Sequence, residues 1–402
     1  MSKHLSQNSK DPSPSPSPAD RGGGFGIGSK RHSAAPSRRE FMKSAVAVSA
    51  VALAAPAIAT ANKTDGKVIL GTDDYQYEVI HLWPQLPDNY SWQTTHNVAV
   101  DSEGLLYVIH EGKYDLKDHP TIFVFDQDGK YVRSFGQQFH GGGHGLEIRH
   151  ESGQDFLYVC AYHQQRSFAK LDTRGELVWR KAAPMQSGVY AEGEDKFPRS
   201  MSDNPWGRDR FLPTNIAFLP DGEFFLADGY GAYRVHRYDR DANWLSMFGQ
   251  PGSDADRTAG TFDLPHGIWI DDRDAEPLVV VADRQFDRLQ WFTFDGRHRR
   301  TQDGFLWPAN LDTYEDLLLV PELVARVTLL GKNNEVLVHL GTDSERIVAD
   351  KQETGKYAIR SNESRWRPGK FVHPHDACFD KDGNIFVAEW VGTGRVSKLR
   401  RV

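Results

Sequence analysis

Cysteine is nearly absent, with two in 402 residues. A disulfide-stapled fold is therefore excluded, and Cys160 and Cys378 are expected as free buried thiols in different repeats. Positive charge is scarce in the body of the chain. Residues 1–61 hold eight Lys/Arg against three Asp/Glu, leaving 40 basic and 52 acidic residues, a net of −12, for the remainder. Nucleic-acid binding is disfavoured, because phosphate neutralisation needs clustered cations. No long stretch has a helical period, and the one apolar run, residues 45–59, is too short and alanine-rich for a stable membrane span. What remains is a chain 39% hydrophobic, enough for a packed core.

Residues 1–36 are rich in Ser, Pro and Gly and read as disordered low complexity. Residues 37–61 then place Arg38 and Arg39 ahead of the apolar run, with small-residue cleavage sites near residues 57–61. This resembles a twin-arginine export signal, which implies the twin-arginine machinery as a partner and a periplasmic or extracellular destination. Residues 62–74 read as a linker.

From residue 75 to 402, short runs of alternating apolar and polar residues are punctuated by turns at Asp128-Gly129, Asp221-Gly222, Asp295-Gly296 and Asp382-Gly383. A repeat unit recurs: a lead residue, an alternating strand, an acidic turn, and a second strand ending near Ala-Asp. Its lead residues are His96, His144, Thr214, His266, Ala309 and His375, spaced by 48, 70, 52, 43 and 66 residues. Units of about 40–50 residues with four strands each predict a six-bladed β-propeller of the NHL type, an all-β fold. The long intervals predict insertions at residues 181–210 and 347–366, whose roles the sequence leaves open. Residues 75–82 have no blade of their own and are expected to supply the outer strand of the last blade.

Residues 262–271 read F-D-L-P-H-G-I-W-I-D, and G-H-G-L at 143–146 and H-P-H-D at 373–376 echo them. Equivalent positions at the starts of innermost strands form a ring in the central channel. His144, His266 and His375 fall on alternate repeats, about 120° apart around six blades. Three imidazoles so placed predict a Zn²⁺ site with an open fourth position. His96 belongs to an odd-numbered repeat and is read as lining the channel, as an outer neighbour of the site. Asp376, with backbone carbonyls of Val98 and Leu146, is a candidate structural Ca²⁺ site. His140, His150, His163 and His236 are off-register and are read as ordinary structural histidines.

At these residues the chain resembles the peptidyl-α-hydroxyglycine α-amidating lyases, within the NHL-repeat propellers. The resemblance rests on Gly143-His144-Gly145-Leu146, Leu212-Pro213-Thr214-Asn215, Ala227-Asp228-Gly229-Tyr230, Leu264-Pro265-His266-Gly267, Val281-Ala282-Asp283-Arg284 and Pro374-His375-Asp376. It implies zinc at His144, His266 and His375, calcium at Val98, Leu146 and Asp376, a catalytic tyrosine at Tyr230 and an active-site arginine at Arg284. It implies cleavage of a carbinolamide to a peptide amide and glyoxylate, so the expected partner is a peptide or other small molecule. Three departures stand out. Where that family reads His-Arg-Gly in the first blade, this chain reads His110-Glu111-Gly112. The methionine two before the last zinc histidine is His373, and the family's disulfide cysteines are missing. The competing reading is a non-catalytic propeller that binds peptide or glycan, with structural metals only. A lactonase-like enzyme is disfavoured by the three-histidine donor set.

Overall fold

The computed structural model describes residues 62–402 apart from 65, 198–203 and 205. The low-complexity segment and the paired arginines lie outside the described residues.

Six antiparallel sheets succeed one another along the chain as the blades of a propeller. Their innermost strands are Thr95–Val100, Gly143–Glu151, Asn215–Phe218, Pro265–Asp271, Asp312–Tyr314 and Pro374–Phe379. The first five are each followed by three strands stepping outward and the sixth by two, and the Asp-Gly turns put their glycines at positive φ, as at Gly222 (105°) and Gly296 (83°). The expected closure is present. Tyr77–Ile80 pairs with the last strand, Leu399 opposite Val79, so the N-terminal strand completes the sixth blade. Two further strands, Lys67–Leu70 and Asn62–Thr64, extend that sheet outward to six strands. Closure of the ring leaves only short outer edges to solvent.

An acidic residue at the end of the second strand organises four of the blades. Asp228, Asp283, Glu322 and Glu389 are all fully buried. Each accepts a backbone N–H from the loop just before its blade's lead residue: Leu212 on Asp228 (2.8 Å), Asp263 on Asp283 (2.8 Å), Leu306 on Glu322, and Val372 on Glu389 (2.7 Å). In three of these blades a buried or nearly buried arginine of the third strand, Arg288, Arg326 or Arg395, pairs with the same carboxylate. The Ala-Asp signature is therefore a clamp on the segment that delivers the lead residue.

The second long interval holds the one α-helix among the described residues, Ser344–Thr354, which the periodicity did not indicate. Its buried residues are only Ile347 and Asp350, so it has no apolar stripe to read. Asp350 holds the following turn instead, accepting from the Ile359 N–H (2.9 Å) and Arg365 (2.8 Å).

The glycines after two lead histidines are set by contact between neighbouring blades. A Cβ on Gly145 would sit 2.2 Å from the Thr214 carbonyl oxygen, and one on Gly267 would sit 2.5 Å from the Asn310 Cα. Both obstacles are backbone and cannot swing aside. Gly267→Ala is expected to lower stability by about 1–3 kcal/mol or more through overpacking, read as a fall in the thermal midpoint.

Candidate metal centre and active site

The four lead histidines share a backbone device. Register shifts interrupt the innermost pairing between Thr95 and Asn97, Gly143 and Leu146, Pro265 and Gly267, and Pro374 and Asp376. Each bulge contains a histidine: His96, His144, His266 or His375. The shift is not confined to histidine leads: Pro308 faces Glu322 while Asp312 faces Leu319, one residue out of register across Ala309. A bulge re-aims the side chain it carries. Here it turns four imidazoles toward the channel, each 1–2% exposed.

Three of these rings are fixed in the same way. His144 Nδ1 lies 2.9 Å from the Thr214 carbonyl, His266 Nδ1 2.6 Å from that of Ala309, and His375 Nδ1 2.7 Å from that of His96. In every case an even blade's histidine donates to the lead residue of the next blade. Donation from Nδ1 sets the tautomer and leaves the Nε2 lone pair facing inward. Burial, followed by the neighbouring imidazoles and Arg284, holds all three well below the usual histidine range, so they are neutral.

The ring centroids of His144, His266 and His375 are 4.7–5.0 Å apart. His144 Nε2 and His266 Nε2 approach to 3.2 Å. With both protons on Nδ1 these atoms cannot hydrogen-bond to each other. Nitrogens about 2.0–2.1 Å from a shared tetrahedral Zn²⁺ would lie about 3.3–3.4 Å apart, so the spacing suits two ligands of one ion. His375 Nε2 is buried without a partner. These residues fit a metal.

Tyr230 follows the clamp residue Asp228 and projects over the same point. Its Oη lies 3.2 Å from His144 Nε2 and 3.0 Å from His266 Nε2. Burial raises its hydroxyl above the ordinary value, opposed by Arg284. Both terminal nitrogens of Arg284 are 3.5 Å from Tyr230 Oη. Arg284 is 1% exposed, and Asp283 pairs with Arg288 instead (2.7 Å).

Glu111 reaches this site. Its Oε1 accepts from the Tyr162 hydroxyl (2.9 Å), and its Oε2 is 4.0 Å from His96 Nε2. Burial works against its ionisation, but His96, His163 and Tyr162 together outweigh it and bring the carboxyl down to about 2. Tyr162, which belongs to a stretch carrying the family resemblance but was given no site role, and Trp206, which sequence reasoning missed, form an aromatic wall beside Tyr230, with centroids 5.3 and 6.0 Å from its ring. Trp206 comes from the first insertion. His163, read as an ordinary histidine, packs 4.9 Å from Trp206 at the same wall. His236 is a core residue, within 2.6 Å of the Tyr190 hydroxyl. His373 Nδ1 donates to the Leu323 carbonyl (2.6 Å), and the ring packs on Tyr357 and Trp390.

Farther along the same strands a cavity of 140 Å³ is lined by Val98, Glu147, Asn310, Asp312 and Asp376, among others. Asp376 accepts from the Val98 N–H (2.8 Å) and from the Asn310 amide (2.5 Å), which in turn accepts from Asn215 (2.6 Å). Burial, reinforced for Asp312 by Asp376, pushes both carboxyls up to about 7, and Glu147 well above its usual range. Glu147 and Asp312 both stand three residues after a lead position, and that shared offset could have revealed them.

No protein-family profile matches the chain. It is 24% identical over 287 residues to peptidyl-alpha-hydroxyglycine alpha-amidating lyase 1 of Drosophila melanogaster, covering 68% of this chain and 47% of that protein. It is 25% identical over 180 residues to a probable lyase of the same name from Caenorhabditis elegans, covering 44% of each. The chain is similar to the amidating lyases. It spans less than half the length of these amidating-lyase relatives. A Bacteroides thetaiotaomicron protein of unknown function shares the fold, with a TM-score of 0.53 at 10% identity, covering 84% of this chain and 80% of its own.

The raised carboxyls give a test with a definite sign. A buried Asp with a folded pKa near 7 holds its proton between about pH 4 and 7 while the unfolded chain does not, so its contribution to stability declines as pH rises through that window. In metal-stripped protein, Asp376→Asn is expected to gain thermal stability relative to the parent as pH rises from about 4 to 7, and to show no further gain above.

Proposed function

We propose that the chain is an exported, metal-dependent lyase that splits carbinolamides of the peptidyl-α-hydroxyglycine type. The observation that carries this reading is the placement of Tyr230 Oη 3.0–3.2 Å from two imidazole nitrogens, with Arg284 beside it. His144, His266 and His375 would hold Zn²⁺, which as a Lewis acid would make a substrate hydroxyl more acidic. Val98, Leu146 and Asp376 would hold a structural Ca²⁺, to which the cavity adds Glu147 and Asp312 as further oxygen donors.

Tyr230 would accept the hydroxyl proton. The carbon–oxygen double bond of glyoxylate forms as the carbon–nitrogen bond breaks, and the departing amide nitrogen takes up a proton. Burial alone leaves the Tyr230 phenol too weakly acidic for this; Arg284 and a cation at the imidazoles both act to lower it. Arg284 is also the residue suited to grip the glyoxylate carboxylate. Glu111 repels an anion, so a substrate should present a neutral or cationic group toward Tyr162 and His96. The aromatic wall of Tyr162 and Trp206 favours an apolar side chain there.

Among the described residues no helix is long and apolar enough to cross a membrane. Export rests on Arg38 and Arg39 and the run that follows them.

Purified protein incubated with an α-hydroxyglycine-extended peptide is expected to release glyoxylate and the shortened amide. Tyr230→Phe should lower turnover by about 10²–10⁴-fold while the bound metal stays unchanged. No glyoxylate release by the wild type, with peptide binding unchanged in Tyr230→Phe, would instead favour a peptide-binding propeller with structural metals; full turnover in that variant would remove Tyr230 as the base. Glu111→Arg is expected to shift preference toward substrates with a second carboxylate, measured as a change in kcat/KM between a peptide carrying an acidic side chain next to the scissile unit and its lysine counterpart.

A further inference from the structure

We infer that His96 is a fourth imidazole ligand of the same metal ion, so that the centre is a four-histidine site spanning blades six, one, two and four; this rests on the metal-dependent reading above.

Four observations lead there. His96 occupies a bulge like the three other histidines. Its ring lies 4.7 Å from that of His144 and 4.6 Å from that of His375, as close as those rings lie to each other. Ligand atoms of His96, His144 and His375 all fall within 4.8 Å of one another. Finally, His96 is 1% exposed, and neither of its ring nitrogens has a hydrogen-bond partner. Leaving such a group unsatisfied in the interior is costly, and a metal bond would remove that cost.

His96 differs from the others in its outer neighbour. Where they donate to backbone carbonyls, His96 has the Glu111 carboxylate 4.0 Å from Nε2. Glu111 is in turn held by Tyr162 (2.9 Å). At that distance the contact is one of charge rather than a hydrogen bond. Glu111 thereby places negative charge beside the fourth ligand, favouring a cation there, as well as facing the substrate. With four imidazoles bound, any further ligand makes the ion five-coordinate, a number Zn²⁺ tolerates.

The test uses the purified full chain. X-ray absorption of the Zn²⁺-loaded wild type should count four imidazoles; a count of three overturns the inference, whether or not any variant folds. Titration of metal-free protein with Co²⁺ should show His96→Gln binding at least 10-fold more weakly than wild type, with its visible bands shifted and intensified toward a lower coordination number. Glu111→Gln should move affinity in the same direction by a smaller factor. Unchanged affinity and bands in His96→Gln, with binding lost in His266→Ala, refute the fourth ligand alone. Binding unaffected by His266→Ala refutes the metal-dependent reading itself.

Discussion

The geometry of the channel depends on one repeated hydrogen bond, from the Nδ1–H of an even blade's histidine to the backbone carbonyl of the next blade's lead residue. It joins blade two to three, four to five and six to one. Each such bond does two things at once. It satisfies a buried carbonyl at a seam between sheets, and it fixes the ring so that Nε2 faces inward. The seam and the site are therefore the same structure. The glycine after His144 or His266 follows from this closeness, since a Cβ there would strike the backbone that accepts or adjoins the bond.

The clamp residues extend the same logic outward. Asp228, Asp283, Glu322 and Glu389 tie the loop before each lead residue to the far end of the blade's second strand. A buried carboxylate is costly unless fully paired. Here backbone donors and, in three blades, an arginine supply the pairing. Tyr230 and Arg284 directly follow these acids, at two and one residues' distance, so the clamp that positions the imidazoles also positions the residues facing them. This is why Ala-Asp-Gly-Tyr and Ala-Asp-Arg read as one motif with two jobs.

The blades, their count and the strand that closes the ring were legible because period-2 alternation and Asp-Gly turns are local signals. The alternating histidines were legible because a repeat turns sequence position into angular position. His96 was visible as a lead residue, but angle alone placed it outside the trio. The bulge that gives it the same aim depends on strand register, which the sequence does not carry in a readable form. Trp206 and the helix at Ser344–Thr354 were illegible for a related reason. Insertions have no period, and their contribution is set by where they fold back rather than by what repeats.

The two ends of the channel present opposite electrostatic problems, and this constrains what the site can hold. Near the imidazoles, Arg284 and four neutral histidines face a single carboxylate, Glu111, that remains ionised. Farther down, Glu147, Asp312 and Asp376 crowd together with only amides between them, and their carboxyls are driven upward. A cation bound by oxygen would relieve the lower end, while at the upper end the imidazole nitrogens and Glu111 offer what a second cation needs against Arg284, in keeping with the preference of Zn²⁺ and Ca²⁺ for those donors. Since His375 and Asp376 are adjacent on one strand, the upper and lower sites share a backbone. Loading either would stiffen the strand that carries a ligand of the other, so binding at the two sites should be coupled through that strand rather than through the substrate.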